Sequence, residues 1–453
     1  MKTVIIYAYE CLPYHRSGST MAAQRPFHFA KNLCNHGWRA IVLCCDYSSR
    51  YTLDPKADWK SCLKESILQK LSDWNCKEDL IIALPSLKYT DSIDRIWRRT
   101  VILDKRKGTI IPKKGIWNLV IRKISTFIKS FRGDHSQPWQ PVALFVSELI
   151  IEYGIHVSYQ VAEHGPDASL YIARKVFKNK RIPWIIDCRD PILMGFPKIT
   201  KPLIQLYYKL SLLKSAKALI NVNPVWVSRQ SRLFKKPSYL ITNGYEPNEY
   251  KPLIDDRPKT DTTLTITYYG NFYPFQDMEG FLKELGETLL LNPHFKEEIK
   301  FQYFGNGYDQ VRSWVEKFGL EDIFTGEVFI PREKLFEKVI MTDLLLLLSV
   351  ATYKPMIPHD FDQGFYPGKV FEYFGFKKPI LCYPGDKAVL SRLVTETNSG
   401  YVVGSARLAS FLEGFQDRRG TLLFKTDEYT RPAQCLSFAN ILERLQSDRG
   451  FVP

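Results

Sequence analysis

Short apolar runs of strand length alternate with longer stretches of three-to-four-residue periodicity over most of the chain, the rhythm of a parallel α/β sheet. Residues 4–8 read as a buried strand. The loop holding Ser17, Gly18 and Ser19 leads into a helix with Phe27, Ala30 and Leu33 on one face, and His36-Gly37 stops it. Residues 40–45 follow as a second strand, so the chain opens with the β-loop-α-β unit of a doubly wound sheet. That loop carries no Gly-x-Gly-x-x-Gly, which argues against a nicotinamide or flavin site. Residues 47–140 break the rhythm: they are irregular, charged and aromatic, and read as an insertion. It returns after Trp139, with helices expected at 142–153 and 167–177 and strands at 156–162, 183–187 and 218–222.

The same rhythm repeats further on. Residues 247–262 are Pro-rich and polar, as an interdomain linker should be, and strands are expected at 264–269, 299–303, 323–328, 343–350, 380–383 and 400–403 with helices between them. A final helix is expected at 430–449. The expected fold is therefore α/β, with two Rossmann-like doubly wound parallel-sheet domains, 1–246 and 263–429, and a terminal helix at 430–453.

Composition and charge narrow the picture. At 453 residues, 45% hydrophobic and 14% aromatic, the chain is globular in character. It has no apolar run of membrane-spanning length, and the opening MKTVIIYAYE reads as a buried strand rather than a signal peptide. The nine cysteines are scattered without a Cys-x-x-Cys pair, which points to a reducing cytoplasm rather than a disulfide framework or zinc site. The net charge of +15 is concentrated: from Arg95 to Arg132 there are twelve Lys or Arg against one acid. Within that window Ile116, Trp117, Val120, Ile121, Ile124, Phe127, Ile128 and Phe131 recur at helical spacing, with Arg122, Lys123 and Lys129 on the other side. This basic amphipathic helix either packs its stripe on its own domain or rests on an anionic membrane surface.

Chemistry gathers at strand ends and at one loop. In open α/β sheets ligands bind at the carboxyl ends of strands, where His164 and the Asp187, Arg189, Asp190 group fall. A structural role is the other reading for each, including an ion pair of Arg189 with Asp190. The loop is at 364–369, where Gly364, Phe365, Pro367 and Gly368 feed a helix carrying Lys369 and Glu372. A helix start behind glycines offers free N–H groups and a positive dipole end to a phosphate or a polyhydroxylated ligand.

Pro367-x-Lys369-x-x-Glu372-Tyr373, followed by Lys378-Pro379-Ile380, resembles the nucleotide-sugar site of retaining glycosyltransferases of the GT-B fold, family four above all. The resemblance implies two domains facing across a cleft and a nucleotide diphosphate sugar held by the second, with Glu372 on the ribose. It further implies that the loops of Gly18 and of Gly270, Asn271 and Phe272 lie near the diphosphate, and that Gly326 and Val328 lie where the base is read. His164 corresponds to a loop near the reacting sugar, and the Asp-x-Arg-Asp-Pro run is similar to bacterial members. Two departures stand out: Gly364 occupies the position of the family's first Glu, and no basic residue lies between Gly270 and Glu279. No metal or cofactor is expected. The implied activity is sugar transfer to an acceptor hydroxyl in bacterial surface polysaccharide or lipid-linked glycan assembly, in the cytoplasm or on the inner face of its membrane. A sugar-nucleotide epimerase on the same fold, or a non-catalytic membrane or nucleic-acid binder using the basic patch, are the alternatives.

Overall fold

The structure, a computed structural model, describes residues 1–15, 20–47, 52–74, 79–88, 101–104, 109–112, 115–118, 120–121, 137–165, 167–194, 196, 200–251, 263–328, 330–350, 364–385, 389–415 and 422–447. The chain divides into two compact units, Met1–Ile241 with Cys435–Pro453, and Thr242–Gln434.

The first unit is built on strands β1 (Lys2–Tyr7), β2 (Trp38–Cys45), β3 (Leu80–Leu84), β4 (Val157–His164), β5 (Trp184–Cys188), β6 (Leu219–Asn221) and β7 (Ser238–Leu240). Among the described residues these form one parallel sheet in the order β7-β6-β5-β4-β1-β2-β3. Strand residues alternate between faces, so Ile5 and Tyr7 join one core with the helices Gln140–Glu152 and Ala168–Lys180. Val4 and Ile6 join the other, with the helix Thr20–Leu33 and the last helix, Arg431–Ser447, from Cys435 onward. There Phe29 stacks on Phe438 at 4.5 Å, and the Trp38 indole N–H donates to Glu443 at 2.7 Å. Burial on both faces explains why most of these strands read as nearly continuous apolar runs.

The second unit carries β8 (Leu264–Tyr269), β9 (Ile299–Phe304), β10 (Phe324–Glu327), β11 (Leu344–Leu348), β12 (Ile380–Tyr383) and β13 (Gly400–Val402). They pair in parallel in the order β10-β9-β8-β11-β12-β13. One face packs Ile266, Tyr268 and Tyr303 against the helix Met278–Leu291. The other packs Tyr269, Leu345 and Leu347 against the helix Lys369–Phe376.

The segment read as an insertion departs from expectation. Its helix Trp59–Asp73 packs Ile67 and Leu71 into the first core, and β3 pairs with Ile41–Cys45 of β2, so the main sheet extends into it. An antiparallel pair, Val101–Asp104 with Thr109–Pro112, also lies there.

Candidate functional site

In the second unit the carboxyl end of β8 and the start of the helix Lys369–Phe376 meet. Gly270, at φ +82°, turns the chain where a side chain would be strained, and Lys369 fills the space beside it. Its Nζ donates to the carbonyls of Tyr269 at 2.8 Å and Asn271 at 3.0 Å, and lies 3.8 Å from the centre of the Tyr268 ring. Burial pushes the Lys369 ammonium down to about 7, and Glu372, one turn along the helix, pulls the other way. The basic group missing between Gly270 and Glu279 in sequence is thus supplied to that loop from a hundred residues further along.

Glu372 accepts from the Tyr269 hydroxyl at 3.0 Å and from Arg332 at 3.3 Å, and Arg332 also reaches Glu249 at 2.8 Å. Arg332 opens the helix Arg332–Ile340, shortly after β10, and its guanidinium lies 4.6 Å over the Phe336 ring. Through it the segment containing Gly326 and Val328 is tied to Glu372, while those two residues stand on and beside the edge strand β10 itself. Gly326 packs tightly, since a Cβ there would come within 2.4 Å of the Tyr303 carbonyl, and Val328 is exposed. Neither Arg332 nor Glu249 was marked by any local sequence pattern.

The loop before the helix is compact. Gly364 is buried at φ +87°, a left-handed conformation that a Glu would hold only under strain, which gives this chain's departure a backbone cause. Phe365 packs edge-on against Tyr273 at 5.7 Å and Phe275 at 5.5 Å. Pro367 and Gly368 accept the first-turn bonds of Val370 and Phe371, and the earliest N–H groups of the helix lack helical partners. Phe272 does not join this cluster; its ring packs with Tyr303 at 6.4 Å and Trp314 at 6.0 Å, on the face of the helix Met278–Leu291.

In the first unit the polar groups lie at the ends of β4 and β5. Asp187 is buried and takes a two-pronged contact from Arg25, at 2.7 and 2.8 Å, and Arg25 also donates to the Ile241 carbonyl at 3.1 Å. Both oxygens of Asp187 are therefore engaged in tying β5 to the helix Thr20–Leu33. Arg189 pairs with Glu163 at 3.0 Å rather than with Asp190, and it donates to the Gly165 carbonyl. Burial pushes the Glu163 carboxyl up to about 8, against the pull of Arg189. His164 lies 3.2 Å from Asp167, and Asp190 is exposed. Arg25 went unnoticed in sequence because it belongs to no recognisable local motif, and Glu163 stood out only as part of the strand-ending run with His164.

Ile116 and Trp117 are 74% and 75% exposed. Gly18, Arg122, Lys123 and Lys129 lie outside the described residues, as do Ile124, Phe127, Ile128 and Phe131 of the expected basic helix.

No family model matches the sequence, and a search of curated proteins finds no relative. Solved structures do match. The N-terminal domain of Candida albicans trehalose-6-phosphate phosphatase has a TM-score of 0.59 at 9% identity, over 98% of this chain and 97% of that chain. A glycosyltransferase from Rickettsia africae has a TM-score of 0.55 at 12% identity, over 98% of each. An E. coli trehalose-6-phosphate structure bound with UDP-2-fluoro glucose has a TM-score of 0.53 at 9% identity, over 99% and 98%. At such identities the likeness speaks to architecture, and it establishes that this chain has the GT-B fold.

Proposed function

We propose that the chain is a nucleotide-sugar-dependent glycosyltransferase whose second unit holds the donor. The observation that carries this reading is the convergence of Lys369, Glu372 and the Gly270 loop at one strand end. Glu372 is a carboxylate held by a tyrosine hydroxyl and a guanidinium, both of which ribose hydroxyls can replace as donors. Lys369 and the earliest N–H groups of its helix, those ahead of Val370, face the charge that grows on a departing diphosphate, and preorganised donors of this kind supply the largest part of such rate enhancements. The cation role falls to Lys369, so no metal enters the reading. That one neighbour on this fold is bound with UDP-2-fluoro glucose supports a nucleotide sugar as the donor class. Retention of anomeric configuration follows from the family-four resemblance.

His164, Arg189 and Asp190 are assigned to the acceptor side, at the strand ends where His164 meets Asp167, Arg189 meets Glu163 and Asp187 meets Arg25. The acceptor is a glycan or lipid-linked saccharide, and the basic segment with its exposed Ile116 and Trp117 rests on anionic lipid.

Calorimetric titration with UDP-, GDP-, ADP- and dTDP-glucose tests the donor assignment. One of these binds, and Glu372→Ala weakens it by about ten- to a hundredfold while the unfolding transition stays cooperative, as expected for lost hydrogen bonds to a charged group. Unchanged donor affinity in that variant would sink the assignment.

A further inference from the structure

Beside the Lys369 cluster lies a cavity of about 580 Å³ that shares Asn271 and Phe272 of the Gly270 loop with the donor reading and whose other walls that reading leaves unused. Its volume falls in the range of small-molecule sites, roughly 300–1,000 Å³. Its walls come from the loop after β8 and from the Gly305–Gly307 turn after β9 with the helix it starts, Tyr308–Lys317. Phe272 and Trp314, both half-buried, form the aromatic wall, with centroids 6.0 Å apart and planes tilted by 46°. Gly307, at φ +87°, brings the turn onto Phe272 so closely that a Cβ would touch the ring at 3.3 Å.

The polar lining has a particular chemistry. Asn271, Asn306 and Gln310 present three primary amides, exposed and without a side-chain partner among the described residues. Each offers two donors and an acceptor, the complement of neighbouring hydroxyls. No Lys or Arg lines the cavity, and the one acid there, Glu279, is paired with Lys317 at 2.9 Å. Phosphates and other anions therefore have no counter-charge, and a purely apolar ligand would leave three amides unpaired. A ring with an apolar C–H face and a hydroxylated edge satisfies both walls.

We propose that this cavity is a saccharide-binding subsite that takes a neutral pyranose, stacked on Trp314 and Phe272 and hydrogen-bonded by Asn271, Asn306 and Gln310. The subsite does not depend on the donor assignment. The sugar has two sources: a separate glycan, or the sugar carried by a nucleotide donor, since the backbone carbonyl of Asn271 is also a partner of Lys369.

Saturation-transfer NMR on the full chain tests it, with methyl glucoside, methyl N-acetylglucosaminide, maltotriose and cellotriose as probes. At least one binds the wild type, and affinity falls about five- to tenfold in Trp314→Ala, as loss of a stacked ring predicts. Asn306→Ala with Gln310→Ala, two exposed positions whose truncation leaves the core untouched, gives a comparable loss. Glu372→Ala retains saccharide binding, which separates this subsite from the donor site. A parallel titration with UDP and UDP-glucose identifies the source. If Trp314→Ala weakens UDP-glucose but not UDP, the sugar is the donor's; if it weakens only the free saccharide, the sugar is a separate glycan. Silence of all four probes, or binding that neither variant alters, overturns the proposal.

Discussion

At the scale of single residues, the environment of Lys369 predicts that binding of the proposed donor is sensitive to pH. Two backbone carbonyls, the Tyr268 ring and Glu372 surround an ammonium that burial brings down to about 7, against an ordinary lysine value of about 10.4. The sign follows from proton counting. Between about pH 7 and 10 the unfolded chain holds a proton that the folded one has released, so this group costs stability below pH 7 and the cost lifts as pH rises. A diphosphate favours the ammonium, so binding takes up a proton above pH 7 and affinity falls by up to about tenfold per pH unit. Calorimetry with UDP at pH 6 to 9 should show that decline, and Lys369→Met should bind more weakly at pH 6 with a flat profile. A decline that survives in Lys369→Met would place the titrating group elsewhere. Lys369 and Glu372 were legible because they are neighbours on one helix turn in a recognisable run. Arg332 was not, since its carboxylate partner is 40 residues away and nothing around it marks the meeting.

At the scale of elements, the Arg25–Asp187 pair joins a helix to a strand end across 162 residues of sequence. With side chains 1% and 3% exposed, neither charge can recover water if the other is removed. Arg25→Met should therefore cost the first unit about 3–5 kcal/mol, read as a shift in its denaturant midpoint. Adding Asp187→Asn should cost less than the sum of the two single changes, because the second removes a charge already stranded. Additive costs would show that the pair does not act as one. Asp187 attracted notice in sequence as a charge at a strand end; its actual commitment depends on a helix residue that no strand pattern includes. The misreading of residues 47–140 has a similar cause. The five-residue run of β3 follows charged residues and becomes a strand only by pairing with β2, a contact absent from any local window. By contrast β11, five consecutive leucines buried on both faces, was visible outright.

At the scale of the whole molecule, the charge is too localised to serve solubility alone, because most of the +15 lies between Arg95 and Arg132. Among the described residues no helix is long and apolar enough to cross a membrane. Within the basic stretch Ile116, Trp117, Val120 and Ile121 are all exposed, and Trp117 is 75% so, which leaves an apolar edge beside the positive charge. Each Lys or Arg near an anionic leaflet contributes about 1 kcal/mol. Neutralising Arg122, Lys123 and Lys129 to Gln should then weaken binding to phosphatidylglycerol vesicles by on the order of a hundredfold in co-sedimentation. Trp117→Ser should add a smaller loss that salt does not change, whereas the charge-dependent part should fade as ionic strength shortens the screening length to about 8 Å and below. The two losses separate electrostatic attraction from insertion of the apolar edge. Equal sedimentation with phosphatidylcholine vesicles, or none lost in the triple variant, would return the segment to an internal packing role and leave the acceptor without a membrane.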